Sequence, residues 1–264
     1  MKPVLGLVVA LLTEARALLG RGTWRKFDGW PLRHGRLEDG SKILCVRSGV
    51  GMDQAHLASR WLTGQGVSVL ASMGISGGLH PDIKPGALII AESVLELLES
   101  GDGGKTNLVW ASQNSCAEYL HKVLAGKGFE VHLGKVISTR QAVLTSEGKK
   151  SLYQKSGALA VDMECAAVAR SARETGTPFF ALRAVCDTCD HSIPPDISNS
   201  LDENGHIKPW FIMRKLVRRP SLIKDLLRTG RDYKTALSAL GRAWQLQVKY
   251  DPGRFLSQIL DKGV

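Results

Sequence analysis

VDMECAAVAR, residues 161–170, is where an apolar run closed by Val161 meets two carboxylates, Asp162 and Glu164, and then an alanine-rich segment with helical spacing. A buried strand handing over to a helix is the simplest reading of that change of period. Burying a carboxylate without a partner costs on the order of several kcal/mol. Acids at this point therefore either cap the helix or meet a ligand.

The same alternation extends along the chain. VLGLVVA, KILCVRSG, VSVLASMG, ALIIAESVL and FFALRAVCD read as buried strands. MDQAHLASRWLTGQ (52–65), NSCAEYLHKVLAGKG (114–128) and MECAAVARSARETG (163–176) read as helices ending at or near glycine. Short apolar runs alternating with helices predict an α/β sheet covered largely on both faces. The run from Val4 to Leu12 follows Lys2 as a signal peptide would, but Glu14 and Arg16 come directly after it and nine residues are too few to span a bilayer. It is read as the first strand, and no other segment has transmembrane length.

A chain of 264 residues that is 44% hydrophobic can bury a substantial core, which excludes a disordered protein. Its five cysteines, Cys45, Cys116, Cys165, Cys186 and Cys189, are odd in number and scattered. They predict a reducing, cytoplasmic setting without disulfides. Charge is uneven: between Gly205 and Lys249 eleven Lys and Arg face only Asp225 and Asp232, a surplus of nine in a chain whose net charge is +10.

In open α/β sheets ligands bind beyond the carboxyl ends of the strands. Chemistry is therefore expected in ALLTEAR, RSGVGMDQA, SMGISGGLHP, VDMECAA and RAVCDTCDH. Gly49 and Gly51, then Gly74, Gly77 and Gly78, permit tight turns or close backbone approach to a ligand. Neither stretch fits the dinucleotide fingerprint or the P-loop. Glu14, Glu164 and Asp187 each follow closely on a predicted strand, which gathers them along one edge. Three such carboxylates could bind a metal, divide acid and base roles in glycoside chemistry, or cap the following helices. The Cys186-Asp187-Thr188-Cys189 run lacks a second ligand pair at zinc-like spacing, so neither a metal nor a cofactor is expected.

VDMECAAVAR followed by LRAVCD, with SGVG and MGISGGL upstream, resembles the purine and uridine phosphorylase superfamily, and within it the methylthioadenosine/S-adenosylhomocysteine nucleosidase branch. The likeness runs from about residue 3 to about residue 190. It implies a three-layer α/β/α fold with a central mixed, twisted sheet over residues 1–200, completed by a helical basic C-terminal extension over 201–264. It also implies roles. Met163 and Glu164 would hold the ribose, with Glu164 accepting bonds from the 2′- and 3′-hydroxyls. Asp187 would protonate purine N7, Glu14 would activate water, and Arg183 would lie near the nucleophile. Ser76, Gly77 and Gly78 would line the ligand turn and Val143 would touch the base. On this basis Asp187→Asn is expected to lower turnover by orders of magnitude and leave stability nearly unchanged.

The sequence also departs from the branch. Ile75 stands where the turn has Ser, Asp162 replaces Glu, Cys186 replaces Ser, and STRQAVLTSEG (138–148) fits the base-stacking loop only with a gap. ALLTEAR replaces the phosphate-binding N-terminal segment of the phosphorylases, and Glu14 would repel a phosphate dianion. Hydrolysis is therefore expected over phosphorolysis, although Arg16, Arg47 and Arg183 keep phosphate in play.

The basic segment sets Trp210, Met213, Leu216 and Val217, then Leu222, Ile223, Leu226 and Leu227, at helical spacing among its cations. Residues 208–231 could lie on an anionic membrane surface or pack on the core with the cations solvated. With the nucleosidase-like core, this extension resembles the hopanoid-associated phosphorylase-like proteins, which implies cleavage of adenosylhopane to ribosylhopane and adenine. The expected partners are a small or lipid-linked nucleoside and further copies of the chain as a homodimer or larger homo-oligomer. Nucleic acid is not expected, since the aromatic platform of single-strand binders is missing.

Overall fold

A computed structural model describes residues 2–98, 104–112, 116–192, 222–250 and 252–260. Its strands are β1 (Val4–Val9), β2 (Arg25–Phe27), β3 (Trp30–Arg36), β4 (Lys42–Arg47), β5 (Val69–Gly78), β6 (Leu88–Leu98), β7 (Lys105–Ala111), β8 (Val131–Ser138), β9 (Ala160–Asp162) and β10 (Phe179–Asp187). Its helices are α1 (Leu12–Leu19), α2 (Met52–Gly64), α3 (Cys116–Ala125), α4 (Ser146–Ser156), α5 (Cys165–Thr175), α6 (Leu222–Tyr250) and α7 (Pro252–Leu260).

The sheet is mixed, as expected, with β1 parallel to both β4 and β5, and β5 parallel to β10. It is not open throughout. β5, β10, β6, β8 and β9 pair in a closed circuit, completed where β9 runs antiparallel to the last residues of β5. β1, β4, β3 and β2 continue from β5 as an open wing, and β7 pairs with β6. Closure folds the carboxyl ends of β5, β9 and β10 toward one another, so that Asp162 at the end of β9 reaches Arg183 on β10.

All five strand readings and all three helix readings correspond to observed elements. Helix α5 begins two residues later than predicted, because Asp162 accepts the backbone N–H of Cys165 and leaves Met163 and Glu164 in the turn before it. The alanines of that helix, Ala166, Ala167, Ala169 and Ala172, are buried. Small side chains allow α5 to lie close to α2, where Ala55 and Ala58 are also fully buried. Helices α6 and α7 join the main core through Ala236, Leu240, Trp244, Phe255 and Ile259, in the cluster that holds Leu5 and Phe180. Phe255 meets Phe180 edge-on at 5.1 Å between ring centroids. None of the five cysteines forms a disulfide, and no helix among the described residues is long and apolar enough to cross a membrane. Most of the basic segment, residues 208–221, lies outside the described residues.

Candidate active site

Glu14 lies in the first turn of α1 and is 3% exposed. Its Oε2 accepts the backbone N–H groups of Ala10 and Leu11, each at 2.9 Å, reaching back as a helix cap does. Its Oε1 accepts the N–H of Ile75 on β5, also at 2.9 Å. One carboxylate thus joins the end of β1, the start of α1 and the glycine-containing end of β5. Burial raises its pKa above the usual carboxylate range, against the pull of the three N–H donors and the Arg183 cation.

Glu164 reaches away from its own helix. Its Oε1 accepts the N–H of Gly51 at 2.8 Å, and Oε2 accepts the N–H of Met163 at 3.3 Å. Gly51 has φ of +107°, a region closed to most L-residues, and this conformation lets the SGVG turn aim its N–H at the acid. Burial and the neighbouring Asp162 carboxylate push the Glu164 pKa up to about 8, with Glu14 adding to the effect and Gly51 and Arg183 opposing it.

Asp162 has the structural share of the pair. It bonds Ser138 Oγ, accepts the N–H of Cys165 at 3.1 Å and takes Arg183 Nε at 2.6 Å. Arg183 also donates to the carbonyl of Ser72 at 2.9 Å and to its hydroxyl at 2.6 Å. Its charge is thereby balanced inside the fold. The two acids at the strand end thus divide the work: Asp162 caps α5 and neutralises Arg183, while Glu164 crosses to the facing turn.

Asp187, 4% exposed, ends β10. Its Oδ2 pairs with Lys149 Nζ, a fully buried cation on α4 that also donates to the carbonyls of Thr188 at 3.0 Å and His191 at 2.9 Å. Its Oδ1 faces Gly77, where a Cβ would stand 3.1 Å away. Burial raises the Asp187 pKa, and Lys149 and then Cys186 oppose that rise. Gly78 is equally close, since a Cβ there would approach the Asp187 carbonyl to 2.9 Å. Ser76 precedes the two glycines on β5, opposite Val185, and its buried Oγ has no hydrogen-bond partner among the described residues. An unsatisfied buried hydroxyl costs about 1–3 kcal/mol, which a ligand acceptor or donor would recover. Met163 and Val143 are half-buried, and Val143 packs on the small cluster of Leu79, Leu152 and Val161.

Helix α6 runs beside both ends of this constellation. Tyr233 shares a 2.6 Å hydrogen bond with the Thr13 hydroxyl, and His191 Nε2 lies 3.4 Å from the Thr229 hydroxyl. An open groove lined by Phe129, Arg231, Lys234 and Arg242 lies elsewhere along α6 and includes none of the three acids. Among the described residues no group of three His, Cys, Asp or Glu is placed to hold a metal.

Residues 4–206 match the family model described as the Phosphorylase superfamily. The chain belongs to that superfamily. Among its relatives is the 5′-methylthioadenosine/S-adenosylhomocysteine nucleosidase of Thermotoga maritima, 26% identical over 141 residues, which are 53% of this chain and 63% of that protein. A DeoD-type purine nucleoside phosphorylase from a Jannaschia species is 26% identical over 183 residues, 67% of this chain and 71% of the other. A nucleosidase of the first kind from Neisseria meningitidis, solved in complex with methylthio-immucillin-A, shares the fold with a TM-score of 0.69 at 21% identity, over 94% of this chain and 98% of that one.

Lys149 was not singled out from the sequence. In SEGKKSLYQKS it sits beside Lys150, which forms an exposed pair with Asp190, and a lysine run reads as a solvated helix face. The signal was in the spacing: Lys149, Leu152 and Ser156 share one face of α4, and all three are buried.

Proposed function

We propose that the protein is a nucleosidase that hydrolyses the N-glycosidic bond of a 5′-substituted adenosine, with adenosylhopane as substrate and ribosylhopane and adenine as products. The observation that carries the hydrolytic reading is the buried, triply hydrogen-bonded Glu14 carboxylate at the end of β1. Two like unit charges 4 Å apart repel by about 4 kcal/mol at an effective dielectric of about 20, so this carboxylate disfavours a phosphate dianion beside it. Arg183, the buried cation closest in effect to Glu14 and Glu164, is already balanced by Asp162.

The residues divide the chemistry as follows. The C1′–N9 bond breaks with its electron pair passing to the purine, and Asp187 gives a proton to N7. Positive charge develops on the sugar, and Glu164, accepting bonds from the 2′- and 3′-hydroxyls, stabilises it. Water adds its oxygen to C1′ and passes a proton to Glu14, whose raised pKa makes it a stronger base than an ordinary glutamate. Ser76, Gly77 and Gly78 line the turn beside Asp187, with Met163 against the ribose and Val143 toward the base.

The lipid substituent is supported by the basic extension. Leu227 is 67% exposed on α6, beside the exposed Arg228 and Arg231, a pattern suited to anionic lipid. On this reading the enzyme works as a homo-oligomer in the cytoplasm, at the inner face of the membrane. A second reading, a phosphate-dependent purine nucleoside phosphorylase, is favoured by the Jannaschia relative.

The test is a chromatographic assay of adenosylhopane and methylthioadenosine, each with and without phosphate. Adenine released from adenosylhopane without phosphate is the expected result. Strict phosphate dependence, with a sugar 1-phosphate product, would replace hydrolysis by the second reading. Efficient cleavage of methylthioadenosine alone would remove the lipid substrate.

A further inference from the structure

We infer that Lys149 is the positioning residue for the leaving-group acid, fixing Asp187 through Oδ2 so that Oδ1 is the oxygen presented to the ligand at Gly77. The inference rests on the role given to Asp187 above. Three geometric facts support it. Lys149 is fully buried, and all three of its donor bonds end on Asp187 or on the loop that follows it. The other oxygen, Oδ1, is the one beside Gly77, and its protein donor is the Cys186 thiol at 3.7 Å. Lys149 lies on α4, 38 residues away from Asp187, so the contact is made by the tertiary fold and not by a local turn.

A buried cation on one carboxylate oxygen also tunes the acid. When Asp187 gives its proton to N7, it is left as a carboxylate, and the ammonium stabilises that product of the transfer. Burial raises the pKa of the acid, which favours its protonated form, and Lys149 moderates this by pulling the pKa down. Among the described residues, the other titratable groups around the pair are Cys186 on β10, and Cys189 and His191 on the following loop. Glu14 on α1 and Tyr233 on α6 are coupled to them through the Cys186 thiol.

Lys149→Met keeps the unbranched apolar stem, one atom shorter, and removes the charge. The expected result is a fall of about 10²-fold in kcat with KM within about threefold of wild type, within the range a general acid contributes. With the ammonium gone, Asp187 holds its proton more tightly, so the alkaline limb of the kcat/KM profile moves to higher pH. In an Asp187→Asn background the same substitution is expected to change kcat by less than about threefold, because Lys149 then has no acid to act through. An equal loss in both backgrounds, or a kcat that falls equally at every pH with the limb unmoved, would overturn the inference. Should Lys149→Met fail to fold, Lys149→Gln, which keeps a donor for the two carbonyls, carries the same test. Full activity of Asp187→Asn would instead sink the role of Asp187 itself, so the two failures are distinguishable.

Discussion

Gly74→Ala bears directly on the Glu14 cradle. A Cβ at residue 74 would stand 2.5 Å from Glu14 Oε1 and 3.0 Å from its Cδ, whereas comfortable heavy-atom contacts begin at about 3.5 Å. The alanine carries no backbone strain, since residue 74 is not among the glycines with positive φ. The carboxylate must therefore retreat by roughly 1 Å, and the bond most exposed to that movement is the one from Ile75, the next residue on β5. Overpacking costs about 1–3 kcal/mol and a charge-assisted hydrogen bond about 1.5–3 kcal/mol. The two losses describe partly the same event, so a combined cost of about 2–4 kcal/mol is expected. At about 2–4 °C per kcal/mol for a chain of this size, the thermal midpoint should fall by about 5–15 °C. Displacing a catalytic group by about 1 Å is worth roughly 10²-fold in turnover. Losing an N–H donor also raises the Glu14 pKa further, which moves the acid limb of the rate profile to higher pH. Scanning calorimetry and adenine release measured across the acid limb check all three effects. A variant with an unchanged midpoint and wild-type turnover would refute the claim that Glu14 is held in place for water activation.

Other substitutions address the neighbouring groups. Asp162→Ala leaves Arg183 buried without its counterion and removes the acceptor for Cys165 N–H, so denaturant titration should give a loss of about 3–5 kcal/mol. A loss under about 1 kcal/mol would mean that Asp162 is not the balancing charge. For Glu164 the folded-state pKa is raised from 4.5 to about 8. Its contribution to stability is fully present below about pH 4.5 and is lost as pH rises toward about 8. Glu164→Gln stays neutral throughout, so its thermal midpoint should gain on wild type across that window. A pH-independent difference would contradict the raised pKa. Asp187→Asn should lower turnover by orders of magnitude and, contrary to the expectation from sequence, should also cost about 3–5 kcal/mol, because it strips the buried Lys149 of its partner. An unchanged midpoint would mean that the pair carries no stability.

The strand ends and the identities of the acids could be read from local pattern. Apolar runs, glycine turns and carboxylates are local signals, so β1, β4, β5, β6 and β10, the helices α2, α3 and α5, and Glu14, Glu164 and Asp187 were all legible. The short or half-exposed strands β2, β3, β7, β8 and β9 carried too little apolar periodicity to be read, and the lysine- and serine-rich α4 was not read as a helix. Which groups meet emerged from the folded chain: Glu14 with Ile75, Glu164 with Gly51, Asp162 with Arg183, and Asp187 with Lys149. These contacts span between 21 and 113 residues of chain. They follow from the closure of the strand circuit and from the drive to pair every buried charge, which no local pattern records.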